Sequence, residues 1–310
     1  MPTVIVEALK EFFDNATYPI LFTGAGVSAR AGLPTWKVLI EQLAGGLRGT
    51  DPLIAQVMIE CLETDDYTRA VDHFKLSRKM LDGDKLKLLA RIFSNYDITP
   101  ILPIAELPFR GCLTTNFDRS ILDAIANKKN KTARDYKFGD LSFKQAQWEE
   151  GLFTARIHGS VEMPETMVLS EAQFNALLKD EEYDNLLRSC FLHRNVLFVG
   201  FSFYDPAVRH VFEELNRRFG TASPGRHMAL LPSDASPEFI QKATHLNVKA
   251  VKYDPANKHA ALWDGINEFI SDKQALTSPS LVSKRTPLES TKRYLAACYA
   301  RAKMQDSSTA

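Results

Sequence analysis

Short apolar runs alternate along the chain with segments whose apolar residues recur at helical spacing. One run, Asn195–Gly200, is continuously apolar, as is typical of a strand buried on both faces. Strands that alternate with helices favour right-handed crossovers and a parallel sheet. We therefore predict an α/β fold, a Rossmann-like doubly wound parallel sheet of about six strands. The predicted strands lie at Ile20–Phe22, Gly111–Thr115, Phe153–His158, Asn195–Gly200, His227–Leu231 and Val248–Lys252.

Two stretches depart from this alternation. Residues 51–106 carry little strand signal, and aspartates precede their helical patterns, so we predict a helical insertion subdomain there. Residues 1–274 are the predicted main domain. Residues 275–310 are predicted to hold a Ser- and Pro-containing linker and a basic helix over Leu288–Lys303. That helix either docks onto another protein chain or packs back on the core, and the sequence leaves both open.

The first apolar run ends in a glycine turn, Gly24-Ala25-Gly26-Val27-Ser28, which a helical pattern follows. Gly24 permits a tight turn, and Gly26 lets the backbone approach a phosphate without a Cβ in the way. Amides at the start of the next helix would then face the anion. The alternative is a tight turn without a ligand. Hydride transfer is not supported, because it needs an acidic residue about 20 positions on, and Glu41 stands in a helical pattern instead.

Four polar clusters stand where four of the predicted strands end. Taken singly, each has a plain structural explanation. Asn116 and Asp118 suit helix caps, His158 suits a hydrogen-bonded core histidine, and Gly200–Ser202 suits a turn. Together they predict a ligand crevice, because the carboxyl ends of parallel strands share one edge of the sheet. The clusters are Gly24–Ser28, Thr114–Asp118, His158–Ser160 and Gly200–Asp205.

Composition narrows the classes of function. The 310 residues are 45% hydrophobic and 25% charged, which is ordinary for a globular protein. The 38 basic and 38 acidic side chains cancel, which argues against direct nucleic-acid binding through a broadly basic surface. No apolar run has the roughly 18 residues of a membrane helix, and no secretory signal is visible. The widely spaced cysteines, Cys61, Cys112, Cys190 and Cys298, predict neither a zinc site nor disulfides and fit a reducing cytoplasm.

At these four clusters the chain resembles the sirtuin superfamily, over about residues 18–253. Gly24–Ser28 resembles the family's Gly-Ala-Gly-x-Ser pyrophosphate loop. Thr115–Asp118 is similar to its Gln-Asn-x-Asp segment, with threonine in place of glutamine. Ile157–Ser160 resembles the segment that carries the catalytic histidine, and Gly200–Ser202 the later Gly-x-Ser loop. The resemblance implies that residues 1–274 are an NAD-binding catalytic domain.

The chain also departs from the sirtuin deacylases. Leu33-Pro34 is followed by Thr35-Trp36 rather than by Asp-Phe-Arg. The zinc-binding pairs of cysteines are missing, since only Cys190 lies between His158 and Gly200. The asparagine that usually holds a ribose is absent from residues 228–232. These features resemble a zinc-less branch found in bacterial antiphage defence, which implies NAD hydrolysis rather than deacylation.

The chemistry of NAD cleavage then assigns roles. Asn116 would hold a ribose hydroxyl or the attacking water, and His158, with an unperturbed pKa near neutrality, would be the base. Asp118 would bind the nicotinamide carboxamide or support the Asn116 loop. Ser28 and Ser202 would donate to phosphate or ribose oxygens. The residues expected to bind NAD are Gly24, Ala25, Gly26, Ser28, Trp36, Thr115, Asp118, Gly200, Phe201, Ser202 and Asp205.

The prediction is therefore an NAD glycohydrolase, with NAD as substrate and no zinc. The resemblance further implies a homo-oligomer and a partner protein, such as an ATPase or a nuclease, that senses or regulates. Two alternatives remain: an NAD-dependent protein deacylase, which needs a peptide groove, and a nucleotide-sensing module without turnover, whose mark would be the loss of Asn116 or His158. Both residues are present.

Overall fold

A parallel β-sheet forms the centre of the protein, as a computed structural model shows for residues 2–129, 133–203, 205–219 and 227–277. The sheet has seven strands in the order β3-β4-β2-β1-β5-β6-β7, and every neighbouring pair is parallel. The predicted Rossmann-like α/β fold is confirmed. The strands are β1 (Pro19–Thr23), β2 (Gly111–Thr114), β3 (Arg134–Lys137), β4 (Phe153–Arg156), β5 (Asn195–Val199), β6 (His227–Pro232) and β7 (Val248–Tyr253).

Thirteen helices are described around these strands. Their bounds are α1 (Pro2–Asn15), α2 (Ala25–Arg30), α3 (Trp36–Leu47), α4 (Pro52–Leu62), α5 (Tyr67–Leu76), α6 (Asp82–Ile92), α7 (Leu102–Glu106), α8 (Ser120–Lys129), α9 (Glu171–Leu177), α10 (Glu181–His193), α11 (Pro206–Phe219), α12 (Pro237–His245) and α13 (Ala256–Thr277). Short 3₁₀ helices occupy Thr99–Ile101, Phe143–Trp148 and Pro164–Thr166.

The seventh strand is β3, in a segment that the sequence predicts as irregular, and that prediction is wrong. In β3 only Tyr136 is fully buried, while Arg134 is exposed. The strand lies at the edge of the sheet and is held by its ladder to β4, in which Tyr136 pairs with Ala155. A strand of four mostly polar residues has no apolar run, so its pattern does not distinguish it from a loop.

The strands at the centre are buried throughout. Every residue of β1, β2 and β4 is buried, as is typical of strands in the middle of a parallel sheet. Phe22 of β1 packs against Phe198 of β5 and against Phe201, with ring centroids 4.9 and 4.8 Å apart. This packing fixes the ends of the central strands, from which the polar clusters extend.

Helices α4 to α7 lie within residues 51–106, the segment predicted as an insertion. Helices α4 to α6 share a second apolar core with α3, in which Leu43, Met58 and Phe74 are buried. Phe117, from the loop after β2, belongs to the same core. The insertion therefore packs directly on one of the polar clusters, and its standing as a separate subdomain stays a prediction.

The chain divides into two compact units, residues 1–267 and 268–310. Of the second unit only the end of α13 is described. The predicted linker and basic helix over Leu288–Lys303 lie outside the described residues. Within the described part, no helix combines the length and the apolarity needed to cross a membrane.

Candidate active site

A cavity of about 660 Å³ opens at the carboxyl ends of β1, β2, β4 and β5. Ligands of open α/β sheets bind at this edge. All but one of the predicted site residues line this cavity, and the exception is Gly24. The lining therefore includes Ala25, Gly26, Ser28, Trp36, Thr115, Asn116, Asp118, His158, Gly200, Phe201, Ser202 and Asp205.

One part of the cavity, which we call the glycine side, is lined by Ala25, Gly26 and Gly200–Ser202, with Gly24 and Val27 packed behind them. These two segments touch through their backbones. A Cβ on Gly24 would lie 2.5 Å from Gly200 O and 2.7 Å from Phe201 Cα. Gly200 adopts φ +63°, and a Cβ there would lie 2.7 Å from the nitrogen of Val27. Glycine is therefore required at both positions by close backbone contact.

The hydrogen bonds of the glycine side correct one expectation. Gly26 N–H donates to Gly200 O at 3.0 Å, and Val27 N–H donates to Gly24 O at 3.0 Å. These two amides were expected to face a phosphate, and both are already donated within the protein. An anion on this side would need other donors.

A second part of the cavity, which we call the polar side, consists of Asn116–Asp118, His158 and Asp205. The amide of Asn116 donates from Nδ2 to Gly24 O at 2.9 Å and to Ser28 Oγ at 2.7 Å. Ser28 Oγ in turn donates to Asp118 Oδ2 at 2.6 Å. With both amide protons donated, Asn116 can offer a ligand its oxygen, Oδ1.

Asp118 holds this chain of hydrogen bonds in place. Its Oδ1 accepts from the amide of Ser120 at 2.9 Å, next to the start of α8. The single hydroxyl proton of Ser28 is donated to Asp118 in this arrangement. Ser28, expected to donate to NAD, and Asp118, expected to bind the carboxamide or to support the Asn116 loop, therefore both orient Asn116 in this structure.

His158 is almost completely buried beside the cavity, with 2% of its side chain exposed. Its Nε2 lies 3.2 Å from Asp205 Oδ2 and 3.4 Å from the hydroxyl of Tyr183. Burial lowers the pKa of His158, and the carboxylate of Asp205 opposes that shift. The neutral imidazole that a general base requires is therefore favoured at neutral pH.

Two residues that contact the polar side were not predicted. Tyr183 of α10 stacks on His158, with ring centroids 6.2 Å apart, and burial raises its pKa well above the ordinary value. Nothing in the sequence signals this role, because a tyrosine in a helix is usually a core residue. Arg156 could have been noticed, since it is a charged residue in the otherwise uncharged run Phe153–His158.

The side chain of Arg156 is fully buried at the end of β4. Its guanidinium pairs with Asp135 at 2.8 Å and with Glu162 at 2.5 Å, and it also donates to the carbonyl of Phe117 at 3.3 Å. Burial opposes ionisation of Glu162, but the hydrogen bond and charge of Arg156 outweigh it and lower the pKa of Glu162 to about 2. The ion pairs thus fix the loop that carries Asn116.

The insertion and α3 supply an outer wall that the sequence predicted only at Trp36. The rings of Trp36 and Tyr67 stack with centroids 6.2 Å apart, and both line the cavity. Asp65 accepts a hydrogen bond from the Tyr67 hydroxyl. Phe93, which directly follows α6, contacts Phe117 edge-on, with centroids 5.7 Å apart. The wall therefore lies next to the polar side.

Within the described residues, no group of three or more His, Cys, Asp or Glu side chains could hold a metal ion. Cys61, Cys112 and Cys190 are buried, and Cys298 lies outside the described residues.

Part of the sequence matches the model of a known protein family. Residues 110–253, a little under half of the chain, match the family model of the SIR2-like domain. This segment carries the Asn116, His158 and Gly200 clusters. The resemblance to sirtuin-like proteins that the motifs predict is therefore confirmed.

The sequence is also similar to bacterial NAD(+) hydrolases. The NAD(+) hydrolase ThsA of Bacillus cereus (strain MSX-D12) is 24% identical over 286 residues, which cover 84% of this chain and 56% of that protein. ThsA of Cytobacillus dafuensis is 25% identical over 224 residues, which cover 68% of this chain and 41% of that protein. The chain spans about half the length of the curated relatives it matches.

Solved structures of SIR2 homologues also align with the chain. The crystal structure of a SIR2 homologue in complex with NAD aligns with a TM-score of 0.44 and 14% identity, over 88% of this chain and 94% of that one.

Proposed function

We propose that the protein is an NAD glycohydrolase, which cleaves NAD with water to nicotinamide and ADP-ribose. The observation that carries the proposal is the convergence of Asn116 and the buried His158 on one cavity that the glycine side also lines. The similarity to bacterial proteins named NAD(+) hydrolase supports the same reaction.

The reaction suits these side chains. The bond between the nicotinamide nitrogen and ribose C1 breaks, and its electron pair neutralises the positive ring, so the leaving group needs no acid. The developing oxocarbenium-like carbon is attacked by water, which forms the new C1–O bond. His158 accepts the proton of that water. Asn116 Oδ1, oriented by Ser28 and Gly24, accepts a hydrogen bond from a ribose hydroxyl or from the water.

NAD is placed with its cleaved ribose on the polar side and its pyrophosphate towards the glycine side. Gly26 and Gly200 line the cavity at that side, and neither carries a side chain. Ser202 and Thr115 line the cavity and are proposed to donate hydrogen bonds to the phosphates and the ribose. Ala25 and Phe201 line the cavity beside them. Trp36 and Tyr67 close the outer wall against water.

The setting of the enzyme is also a proposal. We place it in the cytoplasm as an NAD-depleting effector of antiphage defence, without zinc, on the resemblance to the zinc-less branch. A homo-oligomer and a partner protein, such as an ATPase or a nuclease, follow from the same resemblance.

The test is incubation of the purified full chain with NAD, with and without an acetyl-lysine peptide, followed by mass spectrometry of the products. We expect free ADP-ribose and nicotinamide in equal amounts, whether or not peptide is present. Acetyl-ADP-ribose that forms only with peptide would show a deacylase instead. Tight NAD binding without nicotinamide release, under conditions of full assembly, would show a sensing module.

A further inference from the structure

His158 and Asp205 both line the cavity and contact each other. His158 follows β4 and Asp205 precedes α11, which follows β5. In the sheet, β2 and β1 lie between β4 and β5. The two side chains therefore reach towards each other over the central strands, at the place where the substrate is proposed to react.

Asp205 is held so that one of its oxygens faces His158. Its Oδ1 accepts from the amides of Ala207 and Val208 at 3.0 and 2.9 Å, at the first turn of α11. Its Oδ2 lies 3.2 Å from His158 Nε2, and only 9% of the side chain is exposed. A carboxylate oxygen can only accept, so the nitrogen that it faces must carry the proton.

The Tyr183 hydroxyl can accept as well as donate a hydrogen bond, so it is compatible with a proton on Nε2. Among the described residues, the titratable groups that contact the ring are Asp205 and Tyr183. Phe174 meets the ring edge-on, with centroids 5.4 Å apart. Burial keeps the imidazole neutral by lowering its pKa, so one nitrogen carries a proton and the other is free to accept one.

We propose that Asp205 is a positioning residue for the reaction: its carboxylate holds the proton of His158 on Nε2 and so leaves Nδ1 as the nitrogen that accepts the proton of water. The inference rests on the proposed function for its catalytic consequence. The same carboxylate holds the ring in place and stabilises the imidazolium formed when water gives up its proton, as a carboxylate does in other His-dependent hydrolases. Asp205 was expected to bind NAD, and the proposal replaces that role.

Substitution of Asp205 by asparagine separates this role from helix capping. Asparagine caps helices as well as aspartate, so Oδ1 of Asp205→Asn can still accept from the amides of Ala207 and Val208. Its other group is then an NH₂, which donates. An NH₂ that faces Nε2 requires the proton of His158 to move to Nδ1, where it blocks the base.

A matched control exists in Asp180→Asn. Asp180 caps α10 by accepting from the amide of Tyr183 at 2.8 Å. It shares the capping role of Asp205, and its cap stands at the helix that carries Tyr183. A purely structural effect of removing a capping charge should therefore appear equally in both variants.

The experiment combines turnover with ¹⁵N NMR of the histidine tautomers in the full chain at pH 7.5, with His158→Ala used to assign the signal. We expect the Nε2–H tautomer in the wild type and the Nδ1–H tautomer in Asp205→Asn. We expect kcat to fall about 10²- to 10⁴-fold in Asp205→Asn, with KM nearly unchanged. Asp180→Asn should keep both the tautomer and kcat.

Two results would overturn the inference. One is the Nδ1–H tautomer in the wild type, which stands as a test even if Asp205→Asn does not fold. The other is a kcat in Asp205→Asn no lower than in Asp180→Asn. A wild type that releases no nicotinamide would refute the proposed function instead, and the tautomer would still show whether Asp205 sets the proton.

Discussion

The two sides of the cavity are built in different ways. On the glycine side, Gly24 and Gly200 meet through backbone atoms, and a single methyl group would collide with main chain. On the polar side, Asn116, His158 and Arg156 are held by side-chain partners such as Ser28, Asp205 and Glu162. The first side depends on the absence of side chains and the second on their exact pairing in space.

Because the two sides are built differently, mutations on them should have different consequences. Main chain cannot move cheaply, so changes on the glycine side should disturb folding and binding together. Side chains on the polar side can be altered while their neighbours stay packed, so changes there should affect turnover more than binding. Variants on the two sides of the cavity should therefore differ in whether NAD binding or turnover falls more.

The largest effect should follow His158→Ala. Loss of a general base costs about 10²- to 10⁴-fold in rate, and we expect nicotinamide release to fall by that factor. NAD binding, measured by calorimetry, should persist because His158 is not placed at the pyrophosphate. Asn116→Ala should also abolish turnover, and the double variant should be little worse than either single one, because both residues act in one step. Retained turnover in folded His158→Ala would place the base elsewhere.

The second effect concerns Gly24→Ala. The new Cβ would meet Gly200 O and Phe201 Cα at under 3 Å, and we expect a loss of about 1–3 kcal/mol in the free energy of unfolding, together with weaker NAD binding. The control is Gly45→Ala in α3, where a Cβ has nothing within 4 Å and should stabilise the helix by up to about 1 kcal/mol. Denaturant titrations that gave both variants the same stability would contradict the close contact.

The third effect concerns Glu162→Gln, which removes one carboxylate from buried Arg156. We expect a loss of roughly 1–2 kcal/mol in unfolding free energy at neutral pH, since Asp135 still faces the guanidinium. Because Arg156 lowers the pKa of Glu162 to about 2, this carboxylate stabilises the fold above pH 4.5 and loses that effect as the pH falls towards 2.

The stability gap between wild type and Glu162→Gln should therefore close over that acidic range in pH-dependent denaturation. The exposed pair of Lys87 and Asp84 provides the control, since Asp84→Asn should change stability little at any pH. A gap that stayed constant from pH 7 to pH 2 would contradict the ion pair.

The smallest effect should follow Trp36→Ala. Loss of an aromatic wall residue is expected to raise KM roughly two- to tenfold with little change in kcat, because stacking of rings contributes about 0.5–1.5 kcal/mol. Trp148→Ala is the control, because Trp148 is 78% exposed and does not line the cavity. Steady-state kinetics that showed equal changes in both variants would remove Trp36 from the site.

The sequence predicts the parts of the molecule that local pattern determines. Buried parallel strands such as β5 are continuous apolar runs, and the turn at Gly24 and Gly26 has a recognisable spacing. Strand β3 was missed because an edge strand of mostly polar residues draws its stability from pairing with β4.

Local sequence patterns do not predict contacts between residues that are far apart along the chain. Ser28 and Asp118 are 90 positions apart, and His158 and Asp205 meet across two strands of the sheet. The sequence could place each of these residues at a strand end but not decide which would face the ligand and which would orient another side chain. Ser28 and Asp205 were therefore expected to contact NAD, whereas the structure gives both of them partners within the protein.

The most direct test of the account is a crystal structure of the full-length His158→Ala variant with NAD. We predict the pyrophosphate between Gly24–Val27 and Gly200–Ser202, and the nicotinamide ribose within hydrogen-bond distance of Asn116 Oδ1. The bond to be cleaved should then lie beside the space left by the imidazole. NAD bound with its nicotinamide ribose away from Asn116 and position 158, or bound outside this cavity, would contradict the account.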